Sequence, residues 1–268
     1  MVADSTNPLG SDALEGTRAL VTGSSRGIGA DTARYFAAAG ASVVINYRSK
    51  APRAEKLAAQ IEADGGRAIA VGADLTDAES RATMFATIRE AYGGLDLLVL
   101  NASGGMEKDM GDDYALRLNR DAQVATLDGA VELMDPGARV VFVTSHQAHF
   151  IDTTPTMPEY EPVARSKRAG EIALLERVPR LTERGIGFVV VSGDMIEGTV
   201  TATLLNRLSP GALEARREEA GRLYNVAEFA AEVARAAVDP IPEGNLRLVG
   251  DTSSFIGGGT VVPEAQEA

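Results

Sequence analysis

The stretch Leu20-Val21-Thr22-Gly23-Ser24-Ser25-Arg26-Gly27-Ile28-Gly29 constrains this chain more than any other. A short apolar run ends in a glycine-rich turn, and an alanine-rich segment of helical character comes directly after it. Strand, glycine turn and helix, in that order, bring backbone N–H groups and a helix N-terminus against a phosphate. In such a turn Gly23 permits the sharp bend, Gly27 lets the backbone approach a pyrophosphate, and Gly29 lets helix pack closely on strand. A glycine pattern alone is often only a turn, so its weight depends on the later stretches of the chain.

From Thr17 onwards apolar runs alternate with helical patterns. Strands are predicted at 19–22, 42–46, 68–71, 95–100, 139–144, 187–191 and 245–249. Helices are predicted at 27–39, 52–63, 77–92, 113–134, 162–184, 200–223 and 226–238, with Pro210 a candidate break in the sixth. The strands are short, rich in valine and barely alternating, the pattern of a parallel sheet buried on both faces. Strands alternating with helices predict βαβ units with right-handed crossovers. Turn signals fall at Asp64-Gly65-Gly66, Gly93-Gly94 and Asp135-Pro136-Gly137, and Asn225 with Glu228 reads as a capping pair. The expected organisation is a disordered leader over 1–16, one α/β domain over 17–250 and a flexible tail over 251–268.

Composition narrows the function classes. The chain has no cysteine, which removes disulfides and thiolate metal sites. A net charge of −12 argues against nucleic acid or an anionic membrane as partner, while leaving room for a local basic pocket. No apolar run approaches the ~18 residues of a membrane span. The first residues carry no basic, apolar targeting signal, so a cytoplasmic protein is expected. Only 4 of the 26 basic side chains are lysines, which draws attention to Lys167.

By Asn101 the pattern resembles the short-chain dehydrogenase/reductase family, and it does so over roughly 17–250. Thr22-Gly23-x-x-x-Gly27-x-Gly29 resembles that family's nucleotide-binding turn. Asp74-Leu75 matches its adenine-side acid, and Asn101-Ala102-Ser103-Gly104 its Asn-Ala-Gly turn with one residue added or changed. Asn119, Ser145 and Ser166-Lys167 match the family's helix asparagine, active-site serine and Ser-Lys pair. The run from Gly193 to Thr199 resembles its turn after the sixth strand, with Ser192 in place of proline. The resemblance implies a single doubly wound Rossmann fold, with seven mainly parallel strands in the order 3-2-1-4-5-6-7. It implies cofactor contacts at Gly23, Ser25, Arg26, Gly27, Ile28, Gly29, Arg48, Ser49, Asp74, Leu75, Asn101, Ala102, Ser103, Lys167, Gly193, Ile196 and Thr199. It also implies a homodimer or homotetramer built on the helices after strands four and five.

The end of strand two selects between nicotinamide dinucleotides. An NAD site usually carries Asp or Glu there to accept from the ribose 2′-OH. Here the strand ends Ile45-Asn46-Tyr47-Arg48-Ser49, without an acid, and Arg26 reaches the same space. Two guanidinium groups suit a 2′-phosphate, so NADP(H) is the expected cofactor, with NAD the lesser alternative.

By resemblance, Ser145 orients a carbonyl, Lys167 lowers the pKa of a phenol and holds the nicotinamide ribose, and Asn119 supports a water relay. The family's tyrosine, four residues before the lysine, is here Val163, which cannot give a proton. Tyr160, seven residues before Lys167, is the nearest substitute. On one helix it would lie ~10 Å from the lysine along the axis, against ~6 Å for a spacing of four. Pro162, however, suits a first helical residue, which leaves Tyr160 in the preceding loop and able to fold back. His146, His149, a water or a substrate hydroxyl are the other candidate donors. Two histidines in a loop without a third ligand argue against a metal site.

The segment 106–113 is polar and acidic, which predicts an open wall for the pocket; Leu204, Leu205, Leu208 and Leu213 would line the other. Two function classes fit. One is an NADP(H)-dependent oxidoreductase acting on a ketone or alcohol with a non-standard proton donor, best served by a quinone-like or polycyclic substrate. The other is a catalytically silent NADP-binding sensor.

Overall fold

The computed structural model describes residues 7–107 and 110–256. Seven parallel strands form one sheet in the order β3-β2-β1-β4-β5-β6-β7. They are β1 (Arg18–Val21), β2 (Ser42–Tyr47), β3 (Arg67–Gly72), β4 (Leu95–Leu100), β5 (Met134–Ser145), β6 (Gly187–Gly193) and β7 (Leu246–Val249). The fold class and strand order are as expected. Alternate strand residues face opposite layers. Ala19, Val21, Val43 and Ile45 pack on α1 (Gly27–Ala38), α2 (Ala51–Ala63) and α11 (Val226–Ala236). Leu20, Val44, Leu98 and Phe142 pack on α3 (Ala78–Tyr92), α5 (Gln123–Val131) and α7 (Glu161–Leu175). Both layers are apolar, which is why the strands show no alternation in sequence.

Helix ends obey local chemistry. The Asp77 side chain accepts from the Ser80 N–H at 2.7 Å and starts α3, and Gly93 ends it with φ 79°. Asn225 and Glu228 form a reciprocal capping box on α11, as their spacing predicts.

Three expected helices are divided. The segment 113–134 begins as α4 (Tyr114–Leu116), passes through a π-helical turn (Arg117–Ala122) and ends with α5 at Val131; Met134 already pairs with Leu95 in the sheet. The segment 162–184 breaks into α7 and α8 (Val178–Glu183), the latter opening with a proline in its first turn. The segment 200–223 breaks near Pro210 into α9 (Val200–Leu208) and α10 (Ala212–Ala220). The other short helices are α6 (His146–His149), α12 (Ser253–Ile256) and a 3₁₀ turn (Glu243–Asn245) before β7.

The leader expected to be disordered is packed from residue 7. Leu9 and Leu14 are buried with the α1 layer, and the Leu14 N–H bonds the Ala39 carbonyl at 2.9 Å. At the other end Phe255 is buried, so 251–256 also belongs to the fold. The parts of those two expectations that fall on 1–6 and 257–268 lie outside the described residues. No described helix is long and apolar enough to cross a membrane.

Candidate active site

The glycine turn ends β1, where the strand pairs with β2 on one side and β4 on the other. This is the point at which strand order reverses and a crevice opens. Thr22 and Asn101 clasp its two lips. The Thr22 Oγ1 accepts from the N–H of Asn101 at 2.9 Å and of Ala102 at 3.0 Å, and Asn101 Nδ2 donates to the Thr22 carbonyl at 2.9 Å. Asn46 steadies the turn itself, its Oδ1 accepting from the Gly23 N–H at 3.1 Å. Gly29 sits where a Cβ would meet Asn101 Nδ2 at 2.6 Å, so close packing requires it. Gly27, with φ +59°, has open space where its Cβ would be. That space is the cleft.

The cleft holds about 720 Å³. Of the expected cofactor residues, those of the first turn except Gly29 line it, as do Arg48, Ser49, Asp74, Leu75, Asn101, Ala102, Ser103, Lys167, Ile196 and Thr199. Gly29 and Gly193 lie behind its wall. Gly193 serves packing instead, since a Cβ there would stand 2.3 Å from Phe229. At one end of the cleft four cations converge: Arg26 and Arg48, as expected, joined by Lys50 and Arg53. All four are exposed. Arg48 also hydrogen-bonds the Tyr114 hydroxyl and lies 5.5 Å from its ring centroid. Burial pushes the Asp74 carboxyl up, but hydrogen bonds from Thr76 and the charges of Arg48 and Arg117 outweigh it and keep the group below the usual carboxylate range. The N-cap of α1 carries no side-chain hydrogen bond, which leaves the helix N-terminus available to an anion. Open space before Gly27, a free helix N-terminus and converging cations together fit a dinucleotide phosphate.

The other end holds the chemistry-bearing side chains. Ser145 closes β5, and its Oγ lies 3.4 Å from the Tyr160 Oη, both buried. Ser145 Oγ also accepts from the Ala148 N–H at 3.3 Å, so one hydroxyl caps α6 and faces the cleft. Tyr160 is the N-cap of α7 in helical backbone conformation, not a residue of the preceding loop as expected; its carbonyl accepts from the Ala164 N–H at 2.9 Å and its side chain lines the cleft. Val163 lines the same wall and is buried beside Tyr160 in one apolar cluster. Lys167 lines the cleft one turn further on.

Asn119 lies in the helical segment after β4, as expected, but outside the cleft lining. It lies in the π-turn behind the cleft wall, and its side chain staples loop to helix. Its Nδ2 donates to the Gly104 carbonyl at 2.8 Å and to Ser166 Oγ at 2.9 Å. The histidines stand apart from the chemistry. His146 is fully buried: its Nε2 donates to the Val249 carbonyl at 3.1 Å, so its Nδ1 accepts from Ser192 Oγ at 2.8 Å. Burial lowers its pKa from 6.5 to about 4 and keeps it neutral. His149 Nδ1 pairs with the buried Glu171 at 2.6 Å, outside the cleft lining. Leu204 and Leu205 line the far wall, whereas Leu208 is 56% exposed.

Sequence reasoning missed Asn46, Tyr114, Gln147 and Asp194. Asn46 was legible in principle, because it ends β2 beside the glycine turn. The other three meet the cleft only through packing.

Comparison with known proteins agrees with the fold. The sequence profile of the family described as short chain dehydrogenase matches residues 17–205. The 1-cyclohexenylcarbonyl-CoA reductase of Streptomyces collinus is 32% identical over 66% of this chain, and the match spans 64% of that protein. A Burkholderia cenocepacia short chain dehydrogenase in complex with NADP superposes with TM-score 0.73 at 31% identity, covering 89% of this chain and 98% of that one. The landomycin C-6 ketoreductase LanV, with bound NADP and rabelomycin, gives TM-score 0.68 at 29% identity, covering 85% of this chain and 91% of its own.

Proposed function

Because the chain belongs to the short-chain dehydrogenase family, we propose that it is an NADP(H)-dependent oxidoreductase that interconverts a ketone and an alcohol, with Tyr160 as proton donor. The contact of Ser145 Oγ with Tyr160 Oη at 3.4 Å carries this reading. It unites the family's serine with a phenol that approaches from three residues earlier than the usual position. The four cations at the far end of the cleft, with no acid at the end of β2, favour the 2′-phosphate of NADP over NAD.

When bound, the reduced nicotinamide supplies hydride to the carbonyl carbon. The protein's own residues manage the oxygen. Ser145 donates a hydrogen bond to the carbonyl oxygen, which fixes its direction and stabilises charge as it develops. Tyr160 gives its proton to the nascent alkoxide and is left as phenolate. Lys167, two turns further along α7 in the same wall, holds the nicotinamide ribose. Met195 and Leu205, buried around Tyr160, keep water from the reacting oxygen. Asn119 acts by positioning, because it ties the loop after β4 to Ser166, the neighbour of Lys167. Homodimer or homotetramer assembly through α5 and α7, and a cytoplasmic location, belong to the same reading.

Val163 favours a second reading, a silent NADP-binding sensor. Retention of Ser145 beside a phenol argues against it, since a sensor has no use for that pair. The test is NADPH oxidation over a panel of aryl and alicyclic ketones. Turnover by the wild type that is lost in Tyr160→Phe, with NADPH still bound, supports the enzyme and its donor. Binding of NADPH without turnover of any ketone supports the sensor.

A further inference from the structure

Beyond Ser145 the cleft carries a polar network that this chemistry leaves unused. Ser145 pairs with Gly193 across β5 and β6, so Gln147 and Asp194 leave the sheet side by side, and both line the cleft. Asp194 Oδ1 accepts from Gln147 Nε2 at 2.8 Å and from the Met195 N–H at 2.7 Å. Arg216 of α10 pairs with Asp194 Oδ2 at 2.7 Å, donates to Ser254 Oγ at 3.0 Å and lies 4.4 Å from the Phe255 ring centroid. The ion pair is withdrawn from solvent, its side chains 12% and 7% exposed. Such a pair adds little net stability over apolar residues of the same volume, but it holds whatever it touches in one orientation.

Here it touches the Gln147 amide. An ionised carboxylate only accepts, so Gln147 must turn its NH₂ towards Asp194 and its Oε1 away. Among the described residues no protein hydrogen bond reaches that oxygen, and the half-buried side chain leaves it open to the cleft. Met195 and Leu205 line the same cleft and belong to the apolar cluster that contains Tyr160. An oriented acceptor that opens on the cleft favours a ligand that donates to it over one that covers it without donating, because the second strips its water and replaces it with nothing.

We propose that Gln147 Oε1 accepts a hydrogen bond from a substrate hydroxyl, so that this cleft selects hydroxylated ring ketones over their unhydroxylated counterparts. Asp194 and Arg216 are positioning residues that hold the amide for that contact. The inference rests on the carbonyl-reductase reading and names the substrate class within it.

The test is calorimetric titration of the full chain, loaded with NADP⁺, using two matched pairs: acetophenone with 3-hydroxyacetophenone, and 1-tetralone with 6-hydroxy-1-tetralone. The wild type binds the hydroxylated member of at least one pair about tenfold more tightly. Gln147→Leu brings that ratio to about one, and Asp194→Asn lowers it by freeing the amide to flip. A folding defect weakens both members of a pair and NADP⁺ as well, and leaves the ratio alone. A wild-type ratio of one in both pairs, failure of both hydroxyketones to bind, or a ratio unchanged in Gln147→Leu overturns the proposal. Failure of the enzyme reading shows separately, as absent NADP⁺ binding or absent turnover, because the ratio is read from ketone binding alone.

Discussion

On the proposed function, Tyr160 does the work that valine at position 163 cannot. With valine at the usual place of the phenol, the side chain three residues earlier reaches Ser145 from the helix N-cap. A positioned acid of this kind is worth roughly 10²–10⁴ in rate. Tyr160→Phe should therefore lower kcat by at least ~100-fold while NADPH affinity, measured by titration, stays within about twofold. His146 makes a different prediction. Its folded-state pKa is about 4 against 6.5 unfolded, so the unfolded chain binds the extra proton first as pH falls. The stability that neutral His146 contributes is complete above pH 6.5 and is lost as pH drops through 4, a loss of about 3 kcal/mol. Urea unfolding across this range should show a slope that His146→Asn flattens. An equal slope in both proteins would remove His146 from the acid response.

Among elements, the contact of α7 with the π-turn joins the helix that carries Lys167 to the loop after β4. A π-turn is rare and recurs at functional positions because it widens one turn of helix. Here it carries Asn119, whose side chain ties Gly104 to Ser166. The helices touch through Gly170, where a Cβ would lie 2.0 Å from the Asn119 carbonyl oxygen. No rotamer change relieves a clash with backbone. Gly170→Ala should destabilise the protein by ~3 kcal/mol in denaturant unfolding and lower turnover by moving Lys167. A change below ~0.5 kcal/mol would mean that the two helices separate freely. Neither the π-turn nor the break between α7 and α8 was legible in the alanine-rich pattern, because propensity cannot register which helix a segment crosses. The capping box of Asn225 and Glu228 was legible, because both partners lie within one turn of chain.

At the scale of the molecule, the sheet, its strand order and the position of the cleft all derive from β-α alternation and the glycine turn. The α7 helix exposes Ile172 at 44%, on an element the family reading assigns to assembly. Light scattering should give a mass of two or four times 28.0 kDa. A single-chain mass would remove α5 and α7 as an interface.

By itself the sequence determined the fold and the residues that line the cleft around the glycine turn. Those rest on short-range relations: an apolar run, then Gly23, Gly27 and Gly29, then a helix, with Arg26 and Arg48 close by in the chain. The tertiary structure decided the catalytic end. Tyr160 meets Ser145 across 15 residues, His146 is withdrawn by bonds to Ser192 and Val249, and Gln147 is oriented by Asp194 and Arg216. Each of those contacts joins separate elements, and what a side chain can do there depends on burial and on partners that only packing supplies.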